Sequence, residues 1–125
     1  MIKQSVAIVG LGRVGTVFLE KLLAQADKGI AIVAVAEKGA TAGVALAKSH
    51  GIENLDLAQL VAKSDTINIL FDLTGNAGVR KELREKLMAS GNRNTVIATE
   101  NIAALIWALI SDGDALPNVH TNVGY

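Results

Sequence analysis

The chain has 125 residues, 50% of them hydrophobic, with 12 basic and 12 acidic side chains and a formal net charge of +0; this allows one packed core and is too short for two ordinary domains. The dispersed charge and 3% aromatic content disfavour nucleic acid as a partner, and the absence of cysteine excludes disulfides and thiolate chemistry. His50 and His120 make no metal-ligand spacing, and neither a signal-like segment nor a run of roughly 20 apolar residues occurs, so the expectation is a cytoplasmic protein with no metal site and no membrane partner.

The first element is an apolar strand, Ser5 to Val9, that runs into Gly10, Gly12 and Gly15. A strand ending in G-x-G-x-x-G and opening a helix is a dinucleotide-binding signature. Gly10 lets the chain turn off the strand, Gly12 has no Cβ to hold a pyrophosphate away, and Gly15 lets the helix lie close on the sheet. The helix start offers unpaired N–H groups and the positive end of its dipole to phosphate. The bare pattern also fits a structural turn with no ligand, so its context decides.

Arg13 to Ala26 keeps Val14, Phe18, Leu22 and Ala26 in one row with Gly15, Leu19 and Leu23 beside it, which is helical spacing closed by Gly29. Ile30 to Ala36 is a second buried strand, ending at Glu37. An acid about 20 residues past the glycine loop is where a dinucleotide fold hydrogen-bonds the adenosine ribose. The bland alternative is a solvated charge at a strand end. Thr41 to Ser49 reads as a short helix stopped by Gly51, with His50 a surface residue, Ile52 to Asn54 as a minimal edge strand, and Leu57, Leu60 and Val61 as one helical face of a short segment ending near Lys63 to Asp65.

Thr66 to Leu73 is the fourth strand, running into Thr74-Gly75-Asn76. Ligands in open α/β sheets sit outside the carboxyl ends of the strands, where strand order reverses, so this loop is expected to face the glycine loop. Asn76 is equally an N-cap for a helix from Ala77 to Ser90. That helix sets Arg80, Lys81, Glu82, Arg84, Glu85 and Lys86 around a Val79, Leu83, Leu87 row, a pattern read as a solvated face. Thr95 to Ala98 is a fifth strand followed by Thr99-Glu100-Asn101, then an apolar helix from Ile102 to Ile110 and a β-like run at Val119 to Val123.

V-A-I-V-G-L-G-R-V-G with I-V-A-V-A-E resembles the amino-terminal domain of the glucose-fructose oxidoreductase and inositol dehydrogenase family, and that of homoserine and aspartate dehydrogenases, from Val6 to Glu100. The resemblance implies a Rossmann-like α/β fold, a doubly wound parallel sheet in three αβα layers. It departs where the first family has T-P-N and then a histidine, here Thr74-Gly75-Asn76 and Val79. It departs again where that family has E-K-P, here Glu100-Asn101-Ile102, so the catalytic lysine is absent, and the expectation is a cofactor domain without the large substrate domain. Single-domain ligand-gating units of potassium transport systems are similar in length and glycine loop.

The expected cofactor contacts are Gly10, Gly12, Arg13, Val14, Gly15, Glu37, Lys38, Thr74, Gly75, Asn76 and Glu100, with no recognisable catalytic set. NAD is expected over NADP because the Glu37 carboxylate would repel a 2′-phosphate, an effect Lys38 would partly offset. Two functions stand: a module that senses or carries NAD(H), and an oxidoreductase that completes its active site through another chain. Candidates for a proton step are Asp72 and Glu100, with His120 and Tyr125 able to reach a crevice from a neighbouring chain. Self-association as a dimer is expected through the Ile102 to Ile110 helix, apolar nearly all round, or through the tail beyond it.

Overall fold

Strands made of β-branched and small residues can be buried on both faces, and here they form a parallel sheet covered by helices on either side. A computed structural model describes residues 3–110. Its elements are β1 (Gln4–Val9), α1 (Arg13–Leu23), β2 (Ile30–Ala36), α2 (Ala42–Ser49), β3 (Glu53–Asn54), α3 (Leu57–Ala62), β4 (Ile69–Asp72), α4 (Ala77–Ala89), β5 (Val96–Ala98) and α5 (Glu100–Ile110). The strand order is β3-β2-β1-β4-β5, all parallel, so strand order reverses between β1 and β4. Register pairs Val9 with Ala36 on one side and Asp72 on the other, which brings the loops after β1, β2 and β4 to one edge.

Side chains alternate across the sheet as strand geometry requires. Val6 and Ile8 point to the layer holding Phe18, Leu19, Leu22 and Trp107, whereas Ala7 and Val9 point to Leu57, Leu60 and Leu83. Phe18 of α1 meets Phe71 of β4 edge-on, with ring centroids 4.8 Å apart. These are the expected three αβα layers.

The differences from expectation lie at element ends. Helix α1 stops at Leu23 and not Ala26, because the chain tightens into a 3-10 turn at Ala26–Lys28 that returns it to the sheet; Ala26 is exposed. Gly29, with φ 89, closes that turn and accepts from the Gln4 N–H at 2.7 Å. Strand β4 begins at Ile69 and not Thr66, since Thr66 belongs to another 3-10 turn and Asn68 bonds Ser5 through its backbone N–H and its side-chain oxygen. Helix α5 starts at Glu100, two residues before the apolar run.

That helix buries Ala103 and Trp107 and leaves Ile102, Leu105 and Leu109 at 46%, 58% and 77% exposure. No helix among the described residues is long and apolar enough to cross a membrane. The expected run at Val119 to Val123, and His120 and Tyr125, lie outside the described residues.

Phe18 is fully buried between α1 and the sheet. Phe18→Ala should lower the unfolding free energy by about 3–5 kcal/mol, whereas Val96→Ala, at an exposed edge position, should change it little. Denaturant melts of both variants check this, and equal midpoints would contradict the packing described.

Candidate functional site

The edge where β1, β2 and β4 end is built on close backbone contact. Gly10 leaves β1 at φ 94, in the left-handed region that L side chains avoid, and its N–H donates to the Ala36 carbonyl at 2.8 Å. A Cβ there would lie 3.0 Å from the Leu73 carbonyl carbon and the Thr74 nitrogen, so the glycine loop and the loop after β4 touch, as expected. At Gly15 a Cβ would collide with the Gly10 carbonyl oxygen. The fold itself therefore demands both glycines.

Gly12 is different. Its φ is −77 and nothing lies within 4 Å of where its Cβ would be. Gly12 is also the N-cap of α1, which has no side-chain cap, whereas Thr41, Asp56 and Asn76 cap α2, α3 and α4. The uncapped helix start and the open space before it fit a phosphate group that approaches the backbone. Val14 is buried and can offer such a group only its backbone, while Arg13 is exposed.

Glu37 follows β2 and is 5% exposed, so it is no solvated charge. Its Oε1 accepts from the Leu11 N–H at 2.8 Å and its Oε2 from the Gly39 N–H at 2.7 Å. The acid thus ties the glycine loop to the turn after β2. Lys38 beside it is exposed.

On the other side of the crevice, Thr74 is buried, its hydroxyl donating to Asp72 Oδ1 at 2.7 Å and accepting from the Asn76 N–H at 3.0 Å. The Gly75 N–H donates to Glu100 Oε1 at 2.9 Å. Asn76 Oδ1 accepts from the Gly78 and Val79 N–H groups, the N-cap role weighed above. The structure thus commits the side chains of Thr74, Asn76 and Glu100 to the chain itself.

The residue that organises this side is Arg80, and its place there corrects the solvated-face reading of the charge pattern. Its Nε donates to Asp72 Oδ2 at 2.9 Å and its Nη2 to Glu100 Oε2 at 2.8 Å. Asp72 is 0% exposed. Burial works against the Arg80 charge, but hydrogen bonding and Coulomb attraction to Asp72, then to Glu100, outweigh it and raise its pKa. Arg80 shares a helical stripe with the buried Leu83 and Leu87, three and seven residues on, a signal visible in the sequence beside the charge alternation.

Among the described residues every buried side-chain nitrogen or oxygen has a hydrogen-bond partner, and no group of three or more His, Asp or Glu could hold a metal. A cavity of about 680 Å³ lies at the other end of the sheet, lined by Ser64, Asp65, Asn92 and Arg93 among others. Its Asn92 carboxamide is already committed to Thr95 and Asn94.

The sheet order and the glycine-loop crevice define a Rossmann-like α/β domain. No family model matches the chain. An S. aureus homoserine dehydrogenase superposes with a TM-score of 0.61 at 16% identity, over 88% of this chain and 29% of its own. A homoserine dehydrogenase from Thiobacillus denitrificans superposes with 0.57 at 26% identity, over 87% of this chain and 26% of its own. RSP, solved in complex with beta-NAD+ and operator DNA, gives 0.53 at 11% identity, over 86% of this chain and 55% of its own.

The chain thus spans less than a third of the two homoserine dehydrogenases. These neighbours agree with the homoserine dehydrogenase half of the sequence resemblance; the glucose-fructose oxidoreductase half is not among them. RSP on operator DNA also means that the fold likeness lends no support to excluding nucleic acid as a partner.

Removing Arg80 would strand the buried Asp72 charge. Arg80→Met should cost about 3 kcal/mol, the lower end for breaking a buried pair, and Arg80→Lys less, since it keeps the charge without the fork. Folding raises the Arg80 pKa, so its contribution is fully present below the ordinary arginine value and is lost only as pH climbs through the raised one. The Arg80→Met deficit should therefore persist undiminished into mildly alkaline solution, and denaturant melts across that range test it.

Proposed function

We propose that the chain binds NAD(H) along Gly10 to Gly15 and acts as a module that senses or carries the dinucleotide. The observation that carries this is Gly12, a glycine that neither backbone strain nor packing requires, standing at an uncapped helix start over open space. In this reading the first-turn N–H groups of α1, including those of Arg13 and Val14, hold the pyrophosphate. Glu37 accepts from the adenosine ribose hydroxyls and disfavours a 2′-phosphate, with Lys38 at the rim. Thr74, Gly75 and Asn76 wall the nicotinamide side, held there by Asp72, Arg80 and Glu100. RSP with beta-NAD+ and the homoserine dehydrogenases lend support through the shared fold.

The second reading, an oxidoreductase completed by another chain, draws on the homoserine dehydrogenase neighbours and on the small share of their length that this chain spans. Bound nicotinamide would supply hydride chemistry. The chain would have to supply a proton donor or acceptor, and the two candidate carboxylates, Asp72 and Glu100, pair with Arg80. Turnover followed by NADH absorbance with polyols, sugars and amino acids, homoserine included, would favour this reading over the module.

NAD(H) at a hundred times its dissociation constant should stabilise the fold by about 2.7 kcal/mol. Gly12→Val should abolish that rise. The same variant should cost the free protein only about 1 kcal/mol, through a poorer N-cap, because the space at Gly12 is open. Thermal melts with and without ligand separate the two effects, and an unmoved wild-type melting temperature at saturating NAD(H) rules out the binding reading.

Self-association as a dimer belongs to the same proposal, favoured by the exposed stripe of Ile102, Leu105 and Leu109 on α5. Sedimentation at micromolar concentration should give a dimer mass that Leu105→Glu converts to a monomer. A wild-type monomer would refute it.

A further inference from the structure

Strand β3 is two residues long and pairs with β2 only at Ala34↔Glu53 and Val35↔Asn54, the last rung being the Leu55 N–H to the Val35 carbonyl at 2.8 Å. In a strand, alternate residues direct their N–H and C=O to the same neighbour, so Glu37, two residues past Val35, turns its backbone groups toward an edge that β3 no longer covers. Asn54 fills that gap with its side chain. Its Oδ1 accepts from the Glu37 N–H at 2.9 Å and its Nδ2 donates to the Glu37 carbonyl at 3.0 Å. The carboxamide stands in for a missing peptide and extends the ladder by one rung.

The Glu37 side chain is gripped independently by the Leu11 and Gly39 N–H groups. Backbone and carboxylate are therefore pinned by three separate segments, and the carboxylate cannot swing without breaking one of them. We propose that Asn54 is a specificity-determining positioning residue: by locking Glu37 it holds the carboxylate where a ribose 2′-hydroxyl can donate to it and a 2′-phosphate is repelled. This rests on the dinucleotide-binding reading and names a residue outside the expected contacts. Without Asn54 the Glu37 peptide loses two hydrogen bonds, the carboxylate moves, and both the ribose bond and the repulsion weaken together.

The test has two arms on wild type, Asn54→Ala, Asn54→Gln and the neighbouring Glu53→Ala, whose side chain pairs with the exposed Lys63. In the ligand-free protein, amide hydrogen exchange at Glu37, Leu11 and Gly39 should quicken by at least about tenfold in Asn54→Ala, as loss of two ordinary hydrogen bonds implies. Titration with NAD and NADP should show NAD weakened by a similar factor and NADP much less. The affinity ratio should collapse toward unity, with Asn54→Gln between the two and Glu53→Ala like wild type.

A merely structural role would weaken both ligands alike and leave the ratio standing. Wild-type discrimination retained in Asn54→Ala, or unchanged exchange at Leu11 and Gly39, overturns this inference alone. A wild-type protein that binds neither dinucleotide overturns the proposed function and takes this inference with it.

Discussion

The structure depends on how closely three stretches of backbone approach one another at the end of β1. The Gly10 carbonyl occupies the place of a Gly15 side chain, and Gly10 itself leaves no room for a Cβ against Leu73 and Thr74. With these contacts in place, α1 must start where it does and lie along β1, and the loop after β4 must run beside the glycine loop. The Gly43 position repeats the demand from α2, since a Cβ there would strike Thr16 and Leu11. The crevice is thus a by-product of backbone packing, shaped before any side chain is chosen for a ligand. Gly12, the one loop glycine that packing leaves unexplained, stands out because the others are so fully explained.

Two buried acids secure the walls of that crevice by the same physics. Burying a carboxylate is costly unless charge partners or hydrogen-bond donors replace water. Glu37 meets the requirement with main-chain N–H groups from two loops, and Asp72 meets it with Arg80 and Thr74. In each case the donors belong to segments that would otherwise be free to move, so satisfying the acid orders the loop. Arg80 extends the effect by carrying Glu100, and hence the Gly75 N–H, into one network. A partly satisfied network would be worse than an apolar replacement, and none of the buried side-chain polar atoms described lacks a partner.

What could be read from the sequence was local. The span of β2, the left-handed Gly29 and the cap at Asn76 follow from apolar runs and turn chemistry within a few residues of each position. The glycine loop and Glu37 were legible because their spacing follows the geometry of the fold. Long-range pairing was not legible. That Asn54 would complete the ladder at Glu37 depends on where β3 stops, 17 residues further along the chain. Arg80 looked like one of six alternating charges, and only the burial of Asp72 at the end of β4 separates it from Lys81 and Glu85, which do form a solvated pair. Element ends shifted wherever tertiary contacts overrode propensity, as in the 3-10 turns before β2 and β4.

The rigidity of the crevice bears on which of the two functional readings the chain suits. Acid–base catalysis needs a group that exchanges its proton readily and reaches the reacting atom. Here Asp72 is enclosed and hydrogen-bonded on both oxygens, Glu100 is shared between Arg80 and the Gly75 N–H, and Arg80 holds its own proton more firmly than an ordinary arginine. Freeing either acid for chemistry would release the loop that walls the site. The interactions that order the crevice wall after β4 therefore also occupy Asp72, Glu100 and Arg80.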